Sequence, residues 1–168
     1  MKRFGRCTER PSLMMTIREM TRQDFDSVLE IMNAALSEAV RRSRGHLVVE
    51  FSDLENREYL KMICDSSESI GLVADDDATV VGYVVAIPAQ QVTEPLTEKT
   101  LWVDDLAVRS TCRRQGIARH LMRSMEDRAR ERGYRQIRLN VHEFNSTALD
   151  FYAATSYECW SRIMSKRL

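Results

Sequence analysis

The stretch "VRSTCRRQGIARHLM", from Val108 to Met122, decides the fold. Between Arg109 and Arg138 the chain carries ten arginines against three acids, although the whole protein balances 25 basic against 25 acidic residues. The stretch combines a strand that ends at Val108, an arginine-rich turn with a glycine, and the start of a helix. Such a turn can bind an anion, because the unpaired N–H groups of a first helical turn point at one place. The local positive charge therefore predicts a phosphate-binding turn.

The glycine of this turn, Gly116, lets the backbone approach a ligand closely because it has no Cβ atom. Arg113 and Arg114 add full positive charge beside it, and a pyrophosphate fits this description. The turn has neither the glycine spacing of a P-loop nor that of a Rossmann fingerprint. The arginines further along the helix are expected to form a solvated face; they are Arg123, Arg128, Arg130 and Arg132.

Length, charge and cysteine content limit the possible classes of function. A chain of 168 residues predicts one domain with a real core. A net charge of zero, and arginines that are not interleaved with stacking aromatics, argue against a nucleic-acid partner or a membrane-surface protein. No apolar run approaches the roughly 18 residues of a membrane span. The four scattered cysteines predict no disulfide framework and no metal site, so we expect a cytoplasmic protein without a metal.

The N-terminal residues 1–15 have basic side chains but no apolar core of the kind that a secretory signal needs. We expect them to be a flexible arm or a mis-annotated start that precedes the true initiating methionine. Regular structure is expected to begin at Thr16, so that the domain covers residues 16–168.

The order of elements mixes hairpins with a crossover helix. Capping boxes at Thr21 and Ser52, each followed by an acid three residues later, predict two helices. Two β-branched runs around the acidic turn Asp75–Asp77 predict a hairpin, and "TLWVDDLAV" predicts a further strand. The second half of the chain is expected to form a helix from about Gly116 to Arg132, a strand in "RQIRLNV", a short helix capped by Asn145 and one or two final strands. The predicted order of elements is therefore β-α-α-β-β-β-α-β-α-β.

The turn and its surroundings resemble the GNAT superfamily of N-acetyltransferases along nearly all of Thr16 to Leu168. "RRQGIA", Arg113 to Ala118, matches the family signature Q/R-x-x-G-x-G/A, and "LAV" ends five residues before it, as the family's fourth strand does. "NSTALDFY", Asn145 to Tyr152, matches the family helix N-x-x-A-x-x-F/L-Y. The resemblance implies an α/β (α+β) GNAT fold, with a mixed, mostly antiparallel central sheet of six to seven strands flanked by about four helices.

The resemblance also implies acetyl-CoA as cosubstrate. The pantetheine arm would pair like an extra strand where the family's fourth and fifth strands splay apart, and the pyrophosphate would lie on the turn. The implied binding residues are Leu106, Ala107 and Val108 for pantetheine, Arg113, Arg114, Gln115, Gly116, Ile117 and Ala118 for the pyrophosphate, and Asn145 and Tyr152 for the CoA arm.

The implied activity is that of an acyltransferase, in which a primary amine of a small molecule or peptide attacks the acetyl group directly through a tetrahedral intermediate. The backbone N–H of Val108 would stabilise the oxyanion, and Tyr152 would be the general acid. Some relatives carry a glutamate base where this chain has Asn140, which cannot accept a proton. Asp104 is then the candidate base, with a water relay or Glu143 left open.

The acidic pair Asp104–Asp105 is expected to place its two side chains on opposite faces of an extended strand. Asp105 and Glu143 are candidates for binding the acceptor. Ser156 stands where most relatives have glycine, which predicts an altered turn before Tyr157.

Two further expectations concern assembly and function class. Apolar residues in the last segment predict a homodimer contact; they are Tyr157, Trp160, Ile163 and Met164. The alternative to an enzyme is a non-catalytic acyl-CoA-binding sensor or interaction module with the same fold.

Overall fold

The computed structural model describes residues 15–45, 47, 52–89, 98–164 and 166; most of the predicted arm, residues 1–14, lies outside them. The strands are β1 (Thr16–Glu19), β2 (Ile70–Asp76), β3 (Thr79–Pro88), β4 (Thr100–Val108) and β5 (Gln136–Leu139). The helices are α1 (Phe25–Arg42), α2 (Asp53–Asp65), α3 (Ile117–Glu131) and α4 (Ser146–Ala153), with short 3₁₀ turns at Arg22–Asp24 and Ser110–Cys112. The sheet order is β1-β2-β3-β4-β5. The first four strands are antiparallel, and β5 runs parallel to β4 after the crossover through α3.

Helices cover both faces of this sheet, because successive strand residues point to opposite sides. In β2, Leu72 and Ala74 pack with α3, whereas Val73 between them packs with α1 and α2. The apolar spacing along α3 follows the helical repeat and buries one stripe, whose members are Ile117, Leu121, Met122, Met125 and Ala129. The mixed α/β class predicted from the sequence is therefore confirmed.

The predicted helix starts are present as well. Thr21 and Ser52 each form the reciprocal hydrogen bonds of a capping box, and both helices follow directly. Gly133 ends the crossover helix segment with φ of +77°, the left-handed conformation that glycine adopts without penalty. The β2–β3 hairpin turns at Asp77 and Ala78, which both have positive φ.

The most consequential irregularity is a β-bulge in β4. Val85 of β3 pairs with Asp105, but the next β3 residue, Ala86, pairs with Val103, so Asp104 has no partner in the ladder. The extra residue breaks the two-residue alternation. The expectation that Asp104 and Asp105 face opposite sides is wrong for this reason: both carboxylates contact tyrosines on the α1/α2 face.

The expected count of six to seven strands is also wrong: the described residues form five. The missing strands belong to the last segment, where Tyr157 to Met164 adopt no regular structure. Tyr157 folds back toward the helices and donates its hydroxyl to Glu126 at 3.0 Å. Strand preference expresses packing against a neighbouring strand, and the described residues of this segment make no ladder with β5.

Two further features concern membrane-spanning helices and cysteines. Among the described residues, no helix is long and apolar enough to cross a membrane. Within the described part of the chain, Cys64 and Cys159 are free thiols. Cys112 is fully buried beside the phosphate-binding turn.

Candidate active site

The site begins where β4 and β5 part. Their parallel ladder ends at the pair Val103 and Leu139, yet β4 continues to Val108. Leu106 to Val108 therefore have β3 on one side and no described strand on the other. This is the strand splay that the sequence resemblance implied.

The open edge carries a backbone donor. The N–H of Arg109 donates to the carbonyl of Val81 at 2.8 Å across the pair of Gly82 and Val108. This bond makes Gly82 and Val108 a non-hydrogen-bonded pair of the antiparallel ladder, so the N–H and C=O of Val108 point away from β3. They point into the gap left by β5. An extended ligand lying in that gap can accept a hydrogen bond from Val108.

The predicted phosphate-binding turn lies directly after this edge. Arg114 and Gly116 have positive φ values of +67° and +81°, so the chain turns sharply twice within three residues. Left-handed residues at such positions make concave arrangements of N–H groups that bind anions. Gly116 is the N-cap of α3 and has no side chain to cap it, so the first-turn N–H groups remain for another acceptor.

A Cβ atom built on Gly116 would meet nothing closer than His120, at 3.8 Å, among the described residues. Glycine is therefore not required there by packing within the protein. It is required by its positive φ, and it leaves the backbone open on its outer side. The turn thus fits a pyrophosphate: an exposed, uncapped helix start with an accessible backbone.

Helix α1 holds the arginines around this turn. Arg113 donates to Glu38 at 2.8 Å and to the carbonyl of Val108 at 3.2 Å, and Arg109 donates to Glu30 at 2.7 Å. The Arg113 guanidinium lowers the pKa of the Glu38 carboxyl below its usual value. Arg113 therefore braces the turn against α1, whereas the exposed Arg114 is free of any contact with an acid in the described chain.

Two tyrosines hold the acidic pair. Tyr59 on α2 donates its hydroxyl to Asp104 at 2.7 Å, and Tyr83 on β3 donates its hydroxyl to Asp105. Asp104 is exposed, but the carboxyl of Asp105 lies in the interior and burial raises its pKa. The hydrogen bonds from Tyr83 and from the backbone of Leu106 oppose that shift. The neighbours thus have different environments, one open to solvent and one enclosed.

Tyr152 lies on α4 and packs against the same core cluster as Leu106 and Val108. Its half-buried ring contacts Phe151 and Tyr157 edge-on, with centroids 5.1 and 5.4 Å away. Burial, and then the negative charge of Asp105, raise the pKa of Tyr152 to about 12. The phenol is therefore protonated at neutral pH and is a hydrogen-bond donor.

The other predicted site residues lie at the start of α4. Asn145 is the N-cap of this helix, and its side-chain oxygen accepts a hydrogen bond from Arg42 of α1 at 3.3 Å. Arg42 also donates to the carbonyl of Phe144 at 3.2 Å. Glu143 is exposed and makes no ion pair within the described chain. Among the described residues no three His, Cys, Asp or Glu side chains converge as a metal site requires.

The sequence reasoning missed the partners of the site. The sequence did not indicate that Tyr59 and Tyr83 hold the acidic pair, or that Glu38 and Arg42 contact the site. One signal was available: Tyr83 is the single hydroxyl-bearing residue inside the apolar run "VVGYVVAIP", and a buried tyrosine hydroxyl needs a partner. The contacts of Glu38 and Arg42 with the site had no sequence signal, because they join α1 to residues 75 to 103 positions away.

Known proteins share this architecture. The sequence model of the acetyltransferase (GNAT) family matches residues 27–157. Human N-acetyltransferase 8 is 33% identical over an alignment of 101 residues that covers 55% of this chain and 44% of that relative. The chain thus aligns with less than half the length of this curated relative.

Solved structures agree. The crystal structure of a tetramutant of the BH1408 protein from Bacillus halodurans is 27% identical, with a TM-score of 0.79 over 92% of this chain and 100% of that one. The aminoglycoside N-acetyltransferase AAC(6')-Iy in complex with CoA is 16% identical, and it matches in fold with a TM-score of 0.72 over 92% of this chain and 94% of that one. The family match covers the open edge of β4, the phosphate-binding turn and α4 alike. The chain belongs to the GNAT acetyltransferase family.

Proposed function

We propose that this chain is an N-acetyltransferase that moves the acetyl group of acetyl-CoA to a primary amine of a small molecule or peptide. The observation that carries the proposal is the open edge of β4, where the N–H of Val108 points into the gap beside the uncapped start of α3. The names of the relatives, N-acetyltransferase 8 and an aminoglycoside N-acetyltransferase in complex with CoA, support the same reaction class.

Acetyl-CoA supplies an activated thioester. The backbone of Arg113 to Ala118 would hold the pyrophosphate, since a helix N-terminus with open N–H groups favours an anion. The pantetheine amides would pair with Leu106 to Val108 along the open edge. Asn145 would border the arm from the opposite side, with Arg42 fixing its orientation.

The attack of the amine places negative charge on the thioester oxygen. The N–H of Val108 would donate to that oxygen, and a preorganised donor of this kind contributes more in a water-poor gap than in solution. The attacking ammonium must first lose a proton, because an ordinary amine has a pKa of ~10. Asp104 is our candidate base, acting directly or through water, with Glu143 as the alternative.

Tyr152 would act on the leaving sulfur. A phenol with a pKa of about 12 is a weaker acid than an ordinary thiol, whose pKa is ~8.5. Full transfer of its proton to the thiolate is therefore uphill, and its main contribution would be a hydrogen bond that strengthens as charge develops on sulfur. The proton that finally resides on the thiol would come from the amine nitrogen, which loses one as the C–N bond forms.

A screen for acetyl transfer tests the proposal. The purified chain is mixed with acetyl-CoA and with polyamines, aminoglycosides, amino acids or peptides, and release of the CoA thiol is followed. Acceptor-dependent thiol release with acetylated product supports the proposal. Tight acetyl-CoA binding by calorimetry without turnover on any acceptor favours the alternative, an acyl-CoA sensor or interaction module, and absence of binding contradicts both.

We also propose that the chain forms a homodimer through its last segment. Trp160, Ile163 and Met164 are 73%, 90% and 91% exposed, and the Trp160 ring lies 5.4 Å from the guanidinium of Arg138 on the edge strand β5. Such exposed apolar side chains favour association. Light scattering at high micromolar concentration should give twice the monomer mass, and a monomeric mass contradicts the proposal.

A further inference from the structure

The arginines of helix α3 differ in their partners along its length. Near its end, Arg128, Arg130 and Arg132 each contact a carboxylate, at 2.6, 2.7 and 3.8 Å. Near its start, Arg119 and Arg123 are exposed and make no ion pair with any acid in the part of the chain that the structure describes. The expectation of one uniform solvated face therefore does not describe this helix.

The unpaired arginines occupy unfavourable positions. The N-terminal end of a helix carries partial positive charge, so cations in its first turns are repelled. Two like charges four residues apart also destabilise a helix slightly. Arg119, in the first turn, bears both costs, whereas Arg123 bears only the second, and neither forms an ion pair with an acid among the described residues. An anionic ligand beside them would reverse the sign of both effects.

The geometry links them to the phosphate-binding turn. Gly116, Arg119 and Arg123 are spaced at i, i+3 and i+7, which places them in one row on the solvent side of α3. At ~1.5 Å per residue, the two arginines begin about 4.5 and 10.5 Å along the helix axis from the N-cap. The row thus leads away from the predicted pyrophosphate position over the helix surface.

A surface groove of about 300 Å³ runs beside this row. Arg119, Arg123, Met122 and Thr155 line it, so it offers cations, an apolar surface and a hydroxyl. The two acids that also line the groove, Glu126 and Asp127, are engaged elsewhere: Glu126 accepts from Tyr157 at 3.0 Å, and Asp127 accepts from Arg130 at 2.7 Å. Neither acid forms an ion pair with Arg119 or Arg123.

We propose that Arg119 and Arg123 bind the 3′-phosphate of the CoA adenosine, so that the chain discriminates acetyl-CoA from its 3′-dephospho form. This inference rests on the proposed acetyl-CoA site. The pyrophosphate occupies backbone N–H groups at the turn, whereas the 3′-phosphate is a monoester dianion on the adjoining ribose. Guanidinium groups bind such a group with short, charge-assisted hydrogen bonds.

Calorimetric titration with acetyl-CoA and with 3′-dephospho-acetyl-CoA tests the inference. The wild-type chain should bind acetyl-CoA about tenfold more tightly than the dephospho compound, as expected for charge-assisted contacts near the surface. Arg119→Gln and Arg123→Gln should each reduce that ratio, and the double variant should bring it close to one by weakening acetyl-CoA binding alone. Arg135→Gln is the matched control, because Arg135 is an exposed arginine beyond the other end of α3.

The control should keep the wild-type ratio. Equal wild-type affinity for the two compounds overturns the inference and leaves the proposed function intact. A double variant that loses affinity for both compounds by the same factor also overturns it, because the arginines would then act only through general charge. A wild-type chain that binds neither compound contradicts the proposed function, and this inference with it.

Discussion

The two sides of the proposed cleft differ in the chemical groups that they present to a ligand. One side, which we call the strand wall, is the end of β4 with the turn Arg113–Ala118, and it presents backbone N–H groups. The other, the helix wall, is α4 with its N-cap Asn145, and it presents the side chains of Asn145 and Tyr152. A backbone wall tolerates changes of side chain but not of backbone conformation. A side-chain wall loses a contact with the ligand when a single side-chain atom is removed.

The sharpest test of this contrast removes one oxygen from the helix wall. Tyr152→Phe should lower kcat about 10²–10³-fold, the usual range for a lost hydrogen-bond donor to developing negative charge, while acetyl-CoA affinity changes little. The reason is that the phenol donates mainly to charge that develops in the transition state. Turnover assays and calorimetry separate the two quantities. Tyr157→Phe is the control, because it removes a hydroxyl from the adjoining ring that bonds Glu126 instead. A wild-type rate for Tyr152→Phe would remove this tyrosine from the mechanism.

The strand wall should respond to a change in backbone exposure. Gly116→Ala places a methyl group where the phosphate approaches, and we expect acetyl-CoA affinity to fall about 10- to 100-fold by calorimetry. Gly133→Ala is a close control at the other end of the α3 segment. Both glycines have similar positive φ, +81° and +77°, and a Cβ on either meets nothing closer than 3.8 Å in the described chain. Both variants should lose ~1–2 kcal/mol of stability. Equal affinity losses in the two variants would contradict the placement of the pyrophosphate.

The candidate base, Asp104, offers a test that depends on pH. If Asp104 accepts the proton of the acceptor amine, Asp104→Asn should lower kcat/KM about tenfold at neutral pH. The rate should recover as pH rises toward ~10, because more amine is then already deprotonated. The pH–rate profiles of wild type, Asp104→Asn and Glu143→Gln discriminate the candidates. The same pattern in Glu143→Gln, with a wild-type profile for Asp104→Asn, would assign the base to Glu143.

The adjacent acid should affect stability instead of rate. Burial raises the pKa of Asp105, so the folded state binds its proton more tightly than the unfolded state does. Stability of the wild type should therefore fall as pH rises from ~3.9, the unfolded value, through the raised folded pKa. Asp105→Asn keeps an acceptor for Tyr83 and removes this loss, so its Tm should exceed that of the wild type at pH 7. The advantage should shrink toward pH 4. Thermal unfolding at both pH values checks this, and an unchanged difference would contradict it.

The smallest expected effect lies at the end of the helix wall. Ser156 has φ of +67°, and Tyr157 N–H donates to the carbonyl of Tyr152 at 2.9 Å, as in a helix end that glycine usually forms. The turn expected to be altered thus adopts the left-handed conformation with serine. Ser156→Gly should raise the unfolding free energy by about 0.5–1 kcal/mol in denaturant titration. A loss of stability would mean that the serine side chain contributes more than its backbone strain costs.

The same contrast explains how far the sequence was informative. The strand wall depends on glycine, on helix capping and on fixed spacing, which are local properties, so Gly116, the start of α3 and the order of elements along the chain up to α4 could be predicted. The bulge at Asp104 could not, because it is a relation between β4 and the register of β3. The final strands failed for a similar reason: Trp160 and Ile163 have suitable side chains, but strand formation depends on a partner strand that local sequence does not report.

The bulge has a consequence for how this chain can change by insertion and deletion. A residue removed from a regular strand turns every later side chain to the opposite face. Asp104 is an exception, because its neighbours Val103 and Asp105 already pair with the consecutive residues Ala86 and Val85. Deleting its codon would close the ladder while Leu106, Ala107 and Val108 kept their faces. The chain can therefore gain or lose this carboxylate in one genetic step without rearranging its core.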